Sequence, residues 1–159
     1  MNAMHELPRD VRGVMIPVTN GRMLLPNATV AEVITYAEPE PIPLSPPWLL
    51  GRLSWRGWRL PLFSFSMLSG IADEEGTAIA RVAILKALQG HPRLPFLGLL
   101  TQGFPRLTTI SADLLIPSGD GSPLPQGVRE QVMVRDDQAY IPDLAAIEEL
   151  VQQALARTA

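Results

Sequence analysis

Residues 51–61 run Gly51-Arg52-Leu53-Ser54-Trp55-Arg56-Gly57-Trp58-Arg59-Leu60-Pro61, with apolar runs on either side of Arg56-Gly57. The pattern predicts a β-hairpin, with strands over Leu49–Trp55 and residues 58–65 and a tip at Arg56-Gly57. Gly57 can take the positive φ that a short bulged loop needs, leaving Arg56 in solvent. On the return strand Trp58, Leu60 and Leu62 share one face, and Arg59, Pro61 and Phe63 share the other. An arginine at a tight tip between tryptophans suits a surface made for a partner. An ordinary turn carrying one solvated charge is the alternative.

Before this hairpin, residues 1–10 form a loose lead-in. Val14, Ile16 and Val18 alternate and predict a first strand over 11–18. Asn20-Gly21 is the strongest short-range hairpin signal, with residues 22–25 returning as the second strand. Asn27 suits the N-cap of a short helix over 28–34, with Val30, Val33 and Ile34 on one side and Ala31 and Glu32 more exposed. An extended reading of 30–36 competes, because β-branched residues dominate there. Residues 38–47 hold Pro39, Pro41, Pro43, Pro46 and Pro47 and must be extended or turned. They suit an internal connection better than a ligand for a proline-binding module.

After it, residues 70–76 carry Asp73, Glu74 and Glu75 as a solvated acidic loop that halves the chain. Apolar strands are expected over 79–88, 94–100 and 107–110, with a helical turn over 111–115. A Gly/Pro/Ser-rich loop follows over 117–127, and then a hairpin of 131–135 with 138–141 across Asp136-Asp137. The closing helix, about 143–157, has the stripe Leu144, Ile147, Leu150, Val151 and Leu155, with Glu148, Glu149, Gln152 and Gln153 opposite. Nine or ten short strands and one helix predict a mainly β fold of two small barrels. They would divide near 70–76 into a subdomain of about 11–70 and another of about 77–142.

Composition agrees. In 159 residues, 47% are hydrophobic and 18% charged, which suits a folded globule. Sixteen prolines favour short strands with stiff connections. Without cysteine, no disulfide framework or thiolate metal site can be built. The first ten residues lack the apolar core of a signal peptide, and no apolar run is long enough for a bilayer span, so a cytoplasmic protein without membrane insertion is expected. A net charge of −3 with Lys86 as the only lysine gives no general attraction to nucleic acid phosphates.

The residues offer little chemistry. His5 and His91 lack spaced partners for a metal, and no nucleophile–base pair is evident. Ser118 to Ser122 resembles a phosphate or calcium loop only superficially, since neither the P-loop lysine nor the calcium-ligand repeat is present. The expectation is no enzyme, no cofactor and no metal. What remains is Arg52, Arg56 and Arg59 interleaved with Trp48, Trp55 and Trp58. Such a cluster serves protein interfaces, or single-stranded nucleic acid on a small barrel, or places a tryptophan in the core. The acidic total favours protein.

The order of motifs from Leu24 to Phe65 resembles that of the CheW-like coupling proteins of bacterial chemotaxis-type signalling. Val30-Ala31-Glu32-Val33-Ile34 is similar to the family's Val-x-Glu-Val/Ile element, and Pro47-Trp48-Leu49-Leu50-Gly51 to its Pro-x-hydrophobic-x-x-Gly. Leu53-Ser54-Trp55-Arg56-Gly57 resembles its Asn-Leu-Arg-Gly signature, followed by a strand with Pro61. The second half resembles the family in architecture more than in residues. The resemblance implies two five-stranded SH3-like β-barrels around a shared core, with a C-terminal α-helix, in one domain over 11–159. It also implies an adaptor linking the regulatory domain of a CheA-type histidine kinase to chemoreceptor tips, recruited to membrane-associated arrays. Carried over by residue, partner binding falls to Glu32 and Arg56, with Val30, Val33, Trp55 and Gly57 beside them and Phe104 at a second contact region. Ser54-Trp55 in place of Asn-Leu, Thr101-Gln102 in place of Val-Asp, and no aspartate at Phe63-Ser64-Phe65 are departures. They suit an auxiliary adaptor, such as those of type IV pilus (twitching) systems.

Overall fold

Strand β1 (Asp10–Val18) places Val14, Ile16 and Val18 in one apolar cluster and Met15 in another, so alternate residues are buried on opposite faces. A strand buried on both sides needs protein on both sides, and the fold supplies it with two curled sheets. The computed structural model describes residues 10–111 and 115–157. Eleven strands are present among these residues. After β1 come β2 (Gly21–Pro26), β3 (Val30–Thr35), β4 (Leu49–Trp55), β5 (Trp58–Phe63) and β6 (Ala80–Lys86). Next are β7 (Phe96–Gln102), β8 (Arg106–Ser111), β9 (Leu115–Pro117), β10 (Val128–Val134) and β11 (Asp137–Pro142). Helix α1 (Phe65–Ser69) follows β5, and α2 (Leu144–Arg157) follows β11.

One sheet has six strands in the order β8-β1-β2-β11-β10-β9, and the other has five, β3-β6-β7-β5-β4. The sheets do not divide at residues 70–76. Strands β3 to β7 make the five-stranded sheet, while strands from both chain ends interleave in the six-stranded one. The pairing that joins the ends is β1 with β8, antiparallel, and β2 with β11, parallel at Met23–Tyr140. Each sheet encloses an apolar cluster, Met15, Leu24, Ile110, Val132, Val134 and Ala139 in the first and Leu60, Leu62, Ala80, Val82, Ile84 and Leu100 in the second. Between them lies a shared core containing Ile16, Met23 and Leu25 from one sheet and Phe63, Leu85 and Leu99 from the other. This is the mainly β arrangement expected, with one sheet wider than five strands.

Several local expectations change. Asn27–Thr29 is a single 3-10 turn whose N-cap makes no side-chain hydrogen bond, and Val30–Thr35 is extended, so the strand reading prevails over the helix. The β-branched run there gains more by pairing with β6 than a short helix could. The first hairpin turns at Thr19-Asn20, with Asn20 at φ 64° and Gly21 already paired to Val18. The last turns at Arg135-Asp136, where Arg135 takes the positive φ and Val134 pairs with Asp137. The return strand of the central hairpin stops at Phe63, because Ser64 caps α1 by accepting the Met67 N–H at 3.0 Å. The expected helical turn over 111–115 falls mostly outside the described residues, and Leu115 opens β9. Almost all of the 1–10 lead-in also lies outside them.

Two acidic residues depart from the expected solvated roles. Glu75, in the acidic loop, accepts hydrogen bonds from the Thr19 and Ser64 hydroxyls and from Gln102 Nε2, the last at 3.0 Å. It ties the β1–β2 turn to the end of β7. Glu148, expected on the exposed side of α2, is 1% exposed. Its carboxylate accepts the backbone N–H groups of Leu88 and Gln89 at 2.7 and 3.1 Å, which docks the helix on the β6–β7 connection. The start of α2 is capped as an N-terminus should be, with Asp143 accepting the Ala146 N–H at 3.1 Å.

The proline-rich segment is an internal connection. Glu40 and Arg52 exchange both backbone hydrogen bonds at 2.8 Å, and Ile42 is buried with Leu49 and Ala154. Its tip is Ile42-Pro43-Leu44-Ser45, closed by the Ser45 N–H to the Ile42 carbonyl at 3.3 Å. Leu44 is 93% exposed at φ 63°, the place in a Pro-led turn where Gly or Asn is favoured. Leu44→Asn is therefore expected to raise stability by about 1 kcal/mol. A higher urea midpoint at unchanged m-value is the expected result; a lower midpoint would mean that Leu44 makes stabilising contacts.

Candidate partner-binding site

The two outermost strands of the five-stranded sheet, β3 and β4, are not hydrogen-bonded to each other. Side chains bridge them instead. Glu32 on β3 uses one carboxylate oxygen to accept from Trp55 Nε1 at 3.2 Å and from Arg56 Nη2 at 2.9 Å. The Arg56 guanidinium also lies 5.2 Å from the Trp55 ring centroid. Charge pairing and ring contact thus clasp the sheet where it curls round on itself.

The local sequence accounts for the position of each group. Trp55 and Trp58 pair across β4 and β5 and leave two residues for the turn. Arg56 and Gly57 have φ of 48° and 82°, the two positive values of a type I′ loop. That differs from the bulged loop expected, and it puts Arg56 itself in the left-handed region. Trp55 packs edge-on against Phe96 at 4.9 Å and belongs to the cluster inside the sheet. The ring wall therefore fixes the base from which Arg56 extends.

Energetically the clasp is modest. The Arg56 and Glu32 side chains are 71% and 38% exposed, so solvent screens their attraction to about 0.2–1 kcal/mol. The ring contact with Arg56 adds about 0.5 kcal/mol at such an exposed site. Neither amount decides whether the domain folds. The arrangement can hold a guanidinium and a carboxylate at a defined place on the surface, which suits recognition more than stability.

Glu32, Trp55, Arg56 and Gly57 thus come together. Val30 packs against the shared core, and Val33 is half-buried on the same strand. Phe104 lies apart, on the β7–β8 connection. It is 66% exposed, and the Arg81 guanidinium sits 4.6 Å from its ring centroid. The sequence reading did not single out Arg81. Its position one residue inside a strand, among otherwise buried Ala80 to Leu85, was the available signal.

The other arginines and tryptophans do not form one continuous patch with the clasp. Trp48 packs into the core beside Leu49, and only Trp58, 42% exposed, keeps much of its surface free. Arg52 and Arg59 lie on the outer face of the hairpin, where Arg59 pairs with Glu40 at 2.9 Å. The Ser118 to Ser122 loop is a turn in which Asp120 accepts the Ser122 N–H at 3.0 Å, and hydrogen bonds from Ser122 hold its carboxyl below the usual range. Among the described residues no three His, Asp or Glu side chains converge as metal ligands would.

The family model for the CheW-like domain matches residues 12–152, most of the chain. The chain belongs to the CheW-like family. Among solved structures, it is similar to the scaffolding protein TtCheW from Thermoanaerobacter tengcongensis, with 19% identity, 88% of each chain covered and a TM-score of 0.70. At that identity the likeness speaks for the fold alone. No curated protein matches the chain. Within the CheW-like domain, the Glu32–Trp55–Arg56 clasp lies in the strand and turn whose motifs resembled the family's.

Proposed function

We propose that this CheW-like chain is a non-enzymatic, cytoplasmic adaptor that couples chemoreceptor tips to the regulatory domain of a CheA-type histidine kinase. The observation that carries the proposal is the clasp. It anchors an exposed Arg56 through Trp55 and Glu32, with the 42% exposed Trp58 just across the turn. A preset guanidinium beside apolar surface loses little freedom on binding, which raises affinity without a deep pocket. Phe104, braced by Arg81, supplies a second apolar contact. No described helix is long and apolar enough to cross a membrane, which fits recruitment to arrays through protein contacts. Trp55 in place of the family's leucine, with the other departures, supports an auxiliary adaptor serving pilus-dependent motility.

The test separates recognition from folding. Asn is a preferred residue for a type I′ loop, so Arg56→Asn removes the guanidinium while suiting the backbone. The variant is expected to melt within about 2 °C of the parent, since the lost pair is worth only tenths of a kcal/mol to about 1. Its co-purification with the source cell's kinase or receptor is expected to fall about tenfold or more, as for an interface hot spot. Glu32→Ala should act in the same direction. Full retention of both partners by both variants would sink the coupling role of the clasp. Loss of twitching but not swimming on deletion of the chain would support the pilus output, and the reverse would reject it.

The nucleic-acid reading loses part of its physical basis. Stacking needs free aromatic faces, and Trp55 is engaged by Phe96, Arg56 and Glu32 while the half-buried Trp48 packs against the core, which leaves Trp58 as the one of the three with much free surface.

A further inference from the structure

Behind the hairpin tip, a cleft of about 380 Å³ collects positive charge on a chain whose net charge is −3. Register explains one wall. Arg52 pairs with Pro61 and Ser54 with Arg59, so both arginines project from the outer face of β4 and β5. The β6–β7 connection brings His91 and Arg93 to a second wall, and the last turns of α2 bring Leu155 to a third. Leu94, buried, and Leu155, half-buried, supply apolar lining. His91 Nδ1 accepts the Arg93 N–H at 3.2 Å, which leaves Nε2 to face a ligand.

Among the described residues no carboxylate lines this cleft. Among them, too, neither Arg52 nor Arg93 has an ion-pair partner, and Arg59 meets only the exposed Glu40. Three guanidinium groups with one exposed carboxylate beside them leave a local positive excess, which an incoming anion relieves. We infer that the cleft is a docking site for an acidic segment of a partner protein, carrying at least two carboxylates around an apolar residue.

The form of the cleft selects a peptide over a compact anion. Its arginines come from separate elements and stand apart around an apolar lining, with no glycine-rich loop to cradle a phosphate. The helix at the third wall presents its C-terminal turns, whose dipole disfavours concentrated negative charge. Carboxylates spaced along a chain can each meet an arginine, while the residue between them covers Leu94 and Leu155. This surface is distinct from the Glu32–Arg56 clasp and does not require the coupling partners to be known.

The experiment uses the full chain, a 15N-labelled sample and an acetylated EELEE peptide amide at low salt. Amide shifts are expected at His91, Arg93, Leu94 and residues 152–156, and binding should weaken at least tenfold at about 0.5 M NaCl, where the screening length falls to about 4 Å. The double substitution Arg52→Ser with Arg93→Ser should weaken binding about tenfold or more, the loss expected from one charge-assisted hydrogen bond or more. The charge-matched control Arg106→Ser, on the other sheet, should not, and both variants should keep the parent's melting temperature. Absence of peptide binding, shifts confined elsewhere, or equal affinity in the double variant would each overturn the assignment. So would shifts at these residues from inorganic phosphate or a thymidine oligonucleotide but not from the peptide.

Discussion

Gly51→Ala is expected to destabilise the domain by about 3 kcal/mol or more, lowering the melting temperature by about 10 °C. Gly51 has φ 148°, and a Cβ built there would stand 2.4 Å from the Glu40 carbonyl oxygen and 2.9 Å from its carbon. The obstruction is backbone, which cannot swing aside as a side chain could. Moving it would break the pair of 2.8 Å hydrogen bonds between Glu40 and Arg52 and lift Ile42 from its place against Leu49 and Ala154. Gly57→Ala is the control. Its φ is 82°, but nothing lies within 4 Å of where the new methyl group would stand, so it should cost only the left-handed strain of about 1 kcal/mol. Urea unfolding of the pair checks the difference. Equal midpoints would refute the claim that close approach by the proline-rich connection sets the requirement for glycine at 51.

Glu148→Ala is expected to cost about 3 kcal/mol. Two backbone N–H groups, those of Leu88 and Gln89, lose a charged acceptor, and hydrogen bonds of that type contribute about 1.5–3 kcal/mol each. Water can reach part of the exposed connection, which keeps the sum near the lower end of that range. Glu148→Gln retains one acceptor oxygen but turns an NH2 group toward a donor, so it should recover only part of the loss. Hydrogen exchange at Leu88 and Gln89 distinguishes this from a general weakening of α2. Those amides should lose protection first in both variants. If they exchange as in the parent while the helix frays, the carboxylate does not dock the connection.

Much of the central hairpin was legible because its signals are local. Arg56-Gly57 between apolar runs and the alternation through Leu60 and Leu62 depend on neighbours within a few residues. The strand at 30–35 was harder, since four β-branched residues close to an Asn serve either a capped turn or an edge strand, and pairing with β6 decided it. Glu148 was misassigned on charge alone. Its spacing of four from Leu144 and three from Val151 places it on the buried side of the helix, a signal that residue type obscured. Glu75 carried no comparable signal, because the hydroxyls that bond it come from Thr19 and Ser64, on other elements.

Alternation, turn residues and the apolar stripe of the last helix determined that the chain is mainly β, most of its strands, the hairpin tip at Arg56-Gly57, and the first and last hairpin turns to within one residue. They could not reveal which strands share a sheet, since pairing β1 with β8 and β2 with β11 joins segments far apart in the chain through burial and hydrogen bonds with no local cue. The same limit applies to the site. Glu32 and Arg56 stand in separate motifs, and only closure of the curled sheet brings β3 to β4, so that one carboxylate meets both the indole and the guanidinium.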